Sequence, residues 1–156
     1  MNKYGFFIKR LELSGSSVET KIIQFEKGLN VIFGSSDTGK TFIFQCINYM
    51  LGGTTPPKYI PESENYNLLG LLIETCGGKT YKLERSLKGG NFNLFDENDV
   101  LLKDLNEVND KRVDKETISS FLLEICNMSN KEIRKNQSGA KQNLYFQDIH
   151  KYFLII

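Results

Sequence analysis

The stretch Leu29-Asn30-Val31-Ile32-Phe33-Gly34-Ser35-Ser36-Asp37-Thr38-Gly39-Lys40-Thr41 decides the reading of this chain. Its first five residues form a mostly apolar run of the kind that marks a strand buried on both faces. Its last eight match the phosphate-loop pattern G-x-x-x-x-G-K-[ST] at every fixed position. Behind them Ile43, Cys46, Ile47, Met50 and Leu51 recur at helical spacing, and Gly52-Gly53 follow where a helix end takes left-handed backbone. An apolar strand, a glycine loop and an amphipathic helix, in that order, are the context the motif requires.

The loop's residue types suit anion chemistry. Gly34 and Gly39 let the backbone wrap tightly and turn its N–H groups toward phosphate oxygens, and the new helix adds unpaired amides and the positive end of its dipole. Lys40 is expected to reach the β- and γ-phosphates, and the Thr41 hydroxyl to hold Mg²⁺. The expected binding set is Gly34, Ser35, Ser36, Asp37, Thr38, Gly39, Lys40, Thr41 and Phe42, with ATP and Mg²⁺ as cofactors. Asp37 inside an anion-binding loop is a cost unless its side chain points outward or caps the loop. Hydrolysis also needs an acid at the end of a second buried strand to fix the metal. The only apolar run ending in an acid downstream is Gly70-Leu71-Leu72-Ile73-Glu74, but the Gly77-Gly78 turn behind it points to a hairpin strand. A complete small P-loop kinase or GTPase using Glu74 as its metal acid is the alternative reading, and no N-K-x-D guanine-reading motif accompanies it.

Outward from the loop, residues 6–13 and 20–25 read as two strands joined by the Ser14–Ser17 turn. Residues 54–67, with Pro56, Pro57 and Pro61, read as a connecting loop. Residues 68–75, 80–87 and 92–95 form an antiparallel meander punctuated by Gly77-Gly78 and Gly89-Gly90. A helix is expected from about Asp114, its cap, with Ile118, Phe121, Leu122 and Ile125 on one face. Residues 127–142 read as a polar loop, and Tyr145, Ile149, Tyr152, Phe153 and Ile156 fall at helical intervals. The fold class so predicted is α/β: a P-loop lobe with a parallel core strand, the P-loop helix and an added antiparallel meander, followed by helices.

At 156 residues and a formal net charge of +1, the chain fits one domain and has no general electrostatic attraction for nucleic acid. No run approaches the roughly 18 apolar residues of a membrane span, and no secretory signal opens the chain, so a cytoplasmic location is expected. Cys46, Cys76 and Cys126 fit neither a disulfide framework nor a zinc site and are expected to be buried small apolar side chains. His150 is the only histidine, which leaves little material for a metal site or a serine–histidine triad. Lys111, Arg112, Lys115, Lys131, Arg134, Lys135 and Lys141 are interleaved with acids and read as solvated charges.

Residues 25–53, from Phe25-Glu26-Lys27-Gly28-Leu29-Asn30-Val31-Ile32-Phe33-Gly34 through the loop and its helix, resemble the amino-terminal lobe of SMC, RecN and RecF type ATPases, the ABC-like heads of DNA repair and chromosome proteins. The likeness covers residues 5–95 well. It implies a domain, residues 1–156, that is the N-terminal lobe of such a head, lacking the C-terminal lobe with its signature motif and Walker B acid. The apolar end at Tyr152–Ile156 agrees with a chain cut within a larger protein. The resemblance further implies Mg-dependent ATP hydrolysis after pairing with that lobe and with a second head in a homodimer, with DNA as a partner of the whole protein. It implies a glutamine that senses the γ-phosphate through Mg²⁺ and water, for which Gln147 is the first candidate and Gln142 the next, and it brings Lys9 and Arg10 near the base as one alternative to a solvated strand face. Asp37-Thr38-Gly39 departs from the usual Gly-Ser-Gly and resembles the SMC-like AAA ATPases of bacterial phage defence and repair.

Overall fold

A computed structural model describes residues 4–36, 39–107 and 116–150. Strands β1 (Phe6–Gly15) and β2 (Val18–Gln24) open the chain, and helix α1 (Lys40–Met50) follows the loop. Strands β3 (Leu68–Thr75), β4 (Thr80–Ser86), β5 (Phe92–Phe95) and β6 (Leu101–Leu105) precede helix α2 (Ile118–Ile125), a small hairpin β7 (Glu132–Arg134) and β8 (Lys141–Asn143), and the single turn α3 (Phe146–Ile149).

The main sheet has the order β2-β1-β3-β4-β5-β6, and every pairing in it is antiparallel. This overturns the expected parallel core strand. Leu29–Phe33 belongs to no strand, and instead of being buried on both faces it lies in the open: Leu29 is 91% exposed, Val31 69% and Phe33 89%. The interior positions of the sheet are already occupied. Strands β1, β3, β4 and β5 each have a neighbour on both sides, so the run that leads into the glycine loop could join the sheet only at the outer edge of β2 or β6, and it pairs with neither. The architecture is therefore an antiparallel sheet with helices on one face.

Alternation places Leu69, Leu71 and Ile73 of β3 and Leu83 of β4 on the inner face. A bulge at Lys9 shifts the register between Ile8 and Arg10, so Ile8 opposite Ile73 and Leu11 opposite Leu71 both point inward. Against this face α1 packs Cys46, Ile47, Tyr49 and Met50, and α2 packs Ile118, Phe121, Leu122 and Leu123. Tyr81 and Phe121 meet edge to face at 5.4 Å between centroids.

Three further expectations change. Helix α2 is capped by Thr117: the Ser120 amide donates to its Oγ1 at 3.1 Å, while the Thr117 amide donates to Ser120 Oγ at 2.9 Å. Asp114, the expected cap, lies outside the described residues. Thr117 is held extended by a bridge to Asn106, which fixes where the helix can begin. Residues 127–142 contain the β7–β8 hairpin rather than loop alone. Cys76 is exposed and Cys126 half-buried, so only Cys46 has the buried environment expected of all three.

Candidate functional site

Helix α1 starts at Lys40, behind Gly39, whose left-handed backbone (φ 79°) a side chain would strain. Among the described residues no side chain caps this end and no acid stands in its first turn. The Lys40 ammonium lies within its own loop, donating to the Gly34 carbonyl at 2.9 Å and to the Ser35 carbonyl. Ser35, Ser36 and Thr41 are exposed, and Phe42 is half-buried and packs against the core. Asp37 and Thr38 lie outside the described residues.

These residues fit a phosphate group. A cation, the N-terminal end of a helix and a glycine whose missing Cβ would meet nothing within 4 Å converge on one end of α1. Thr41 follows Lys40 in the same turn, and its exposed hydroxyl is the one that would hold a Mg²⁺ ion on the sequence expectation. Among the described residues, no group of three or more His, Cys, Asp or Glu could hold a metal by itself.

The remaining candidates sit elsewhere. Gln147, in α3, donates from Nε2 to the Leu51 carbonyl at 2.5 Å. That carbonyl belongs to the far end of α1, about 16 Å along the axis from Lys40 at 1.5 Å per residue. The structure thus does not bring Gln147 and the loop together. Gln142 lies in β8 opposite Ile133. His150 completes the contact at that far end, with Nε2 2.5 Å from Asn48 Oδ1. Lys9 pairs with Glu74 at 2.8 Å and Arg10 with Glu12 at 2.5 Å. Lys141 pairs with Glu132 at 3.4 Å.

Glu74 is held by two lysines, Lys9 at 2.8 Å and Lys27 at 3.5 Å, and β3 runs antiparallel to both its neighbours. The hydrogen bond from Lys9 is the main cause that draws its carboxyl below the ordinary range; burial opposes it to a lesser degree, and the charges of Lys9 and Lys27 each lower it by less again. It is a paired surface carboxylate. Burial pushes the Cys46 thiol up to about 12.

Sequence reading missed Arg85. Its side chain is fully buried, with Cζ 3.8 Å from the Tyr49 ring centroid and 4.4 Å from that of Phe92. The signal was there in the alternation Tyr81, Leu83, Arg85, Leu87, which puts the arginine on the inward phase of β4.

A family model described as an AAA domain matches residues 14–154. The chain belongs to that family, and its class is an AAA-type nucleotide-binding domain. No curated protein matches it. No described helix is long and apolar enough to cross a membrane.

Proposed function

We propose that this chain is the ATP-binding N-terminal lobe of an SMC- or RecN-like ATPase head. On this reading Gly34 to Thr41 hold the ATP phosphates, Lys40 neutralises their charge and Thr41 positions Mg²⁺. Hydrolysis requires a C-terminal lobe and a second head in a homodimer, so the isolated lobe binds nucleotide with little turnover. The observation that carries the reading is the exposed apolar run Leu29–Phe33 leading directly into the loop. Four large apolar side chains at the entrance of a nucleotide site form a surface that a further lobe would cover. The resemblance suggests work on DNA in repair, chromosome maintenance or phage defence.

Reaching a γ-phosphate would require Gln147 to give up its bond to Leu51, so the proposed site is confined to the loop and the first turn of α1. The kinase or GTPase reading gains no support from Glu74, whose oxygens the two lysines already engage. The test is thermal unfolding of the chain with Mg²⁺ and ATP, ADP or GTP while phosphate release is followed. Stabilisation by ATP without turnover supports the lobe; sustained turnover by the isolated chain overturns it.

A further inference from the structure

Helix α1 is anchored unevenly. Its C-terminal half is buried through Cys46, Ile47, Tyr49 and Met50, whereas Lys40 to Gln45 are exposed or only half covered, and the segment entering the loop lies in solvent. Phe42 and Ile43 pack partly against the core, but the full burial that fixes the helix direction lies at the other end.

At that anchored end one guanidinium gathers the chain. Arg85 Nη1 donates to the Tyr49 carbonyl at 3.0 Å and to the Gly53 carbonyl at 2.7 Å, and Nε donates to the Gly90 carbonyl at 3.0 Å. Nη2 lies 2.6 Å from Glu107 Oε1 as an ion pair without hydrogen-bond alignment. The rings of Tyr49 and Phe92 also lie against the guanidinium. A cation at a helix C-terminus is favoured by the helix dipole, and a buried one persists only with such partners. The fork fixes α1 to β4, to the turn before β5 and to the end of β6 at once.

We infer that Arg85 is a positioning residue for the nucleotide: by holding the last turn of α1 it sets the direction in which the helix presents its first turn to phosphate. The inference rests on the nucleotide-binding reading of the loop. The lever is long enough to matter. A tilt of about 5° about the anchored end would move the first turn by about 1.4 Å over the roughly 16 Å length of the helix, nearly half a hydrogen-bond distance.

Arg85→Lys keeps the charge but loses the planar fork that reaches two carbonyls. If the competent orientation is then populated about one time in ten, the apparent Kd for Mg·ATP rises about tenfold. Isothermal titration is run at a temperature where each variant is folded, with Leu122→Ala as the control, since it opens the core from α2 and leaves the Arg85 fork and its partners in place. The expected result is weakened ATP binding in Arg85→Lys and unchanged ATP binding in Leu122→Ala, although both melt earlier. ATP affinity within twofold of wild type in folded Arg85→Lys overturns the inference. Should Arg85→Lys not fold, hydrogen exchange on the wild-type chain decides. Because linkage is reciprocal, Mg·ATP at the first turn must slow exchange of the Gly52 and Gly53 amides, which donate to the Tyr49 and Asn48 carbonyls. Protection confined to residues 39–43 overturns the inference. A wild-type chain that binds no ATP removes the nucleotide reading and this inference with it, whereas wild-type binding with an unaltered Arg85→Lys removes this inference alone.

Discussion

Replacing Leu29 or Phe33 by serine should leave the stability of this chain almost untouched, although both residues lie in its most apolar run. Fully burying a leucine or phenylalanine side chain is worth about 1.5–3 kcal/mol. With 91% and 89% of these residues in solvent, about a tenth of that remains, roughly 0.2–0.3 kcal/mol each. Leu122, at 0% exposure, provides the contrast: Leu122→Ala should cost about 2–5 kcal/mol. For a chain of this size each kcal/mol moves Tm by about 2–4 °C. The serine variants should therefore melt within about 1 °C of wild type and Leu122→Ala at least about 4 °C lower. Urea unfolding followed by circular dichroism gives the same comparison as a midpoint shift at constant slope. A Phe33→Ser chain that loses as much stability as Leu122→Ala would show that the run is packed, and would refute both its placement in solvent and the inference that it is a surface for a further lobe.

Lys40→Ala should abolish stabilisation by ATP while shifting Tm without nucleotide by no more than about 2 °C, as a substitution away from the core does; scanning fluorimetry reads both. The depressed carboxyl of Glu74 gives a signed pH effect. A group whose folded pKa lies below its unfolded value contributes stability above the unfolded value, 4.5 for this carboxyl, and loses it as pH falls through the folded one. Glu74→Gln should accordingly remove a small stabilisation at pH 7, as expected of a surface pair, and flatten the fall in stability below about pH 4.5, which acid titration of ellipticity checks. At pH 8 the exposed thiol of Cys76 should react first with a disulfide reagent. Cys46, pushed up to about 12, should stay silent until the chain unfolds, and Cys126, also raised by burial, should react slowly.

The parts of the fold legible in the sequence were those governed by local rules. Helix α1 begins at the lysine of the glycine motif and ends before Gly52, whose φ of 101° needs glycine. The turn at Gly77-Gly78 falls between β3 and β4 for the same reason. What was not legible depends on partners distant in sequence. Apolarity alone made Leu29–Phe33 read as a buried strand, but burial requires pairing at a sheet edge or a covering element, and the end strands β2 and β6 pair only with β1 and β5. The cap of α2 moved to Thr117 because a bridge to Asn106 holds that residue extended. Arg85 was passed over because an arginine in a strand is ordinarily solvated, and only the convergence of Tyr49, Gly53, Gly90 and Glu107 makes its burial tolerable. Of the site, the loop residues were visible as a pattern. Where Gln147 goes, to the opposite end of α1, depends on the docking of α3.

The central claim is that residues 34–41 and the first turn of α1 form an ATP site in an otherwise catalytically incomplete lobe. The most direct measurement is the melting temperature of the chain with Mg²⁺ and saturating ATP, with phosphate release recorded in parallel and Lys40→Ala as the control. An upward shift that disappears in the variant, without appreciable release, is the predicted result. No shift with any nucleotide, or steady release by the wild-type chain, would contradict the claim.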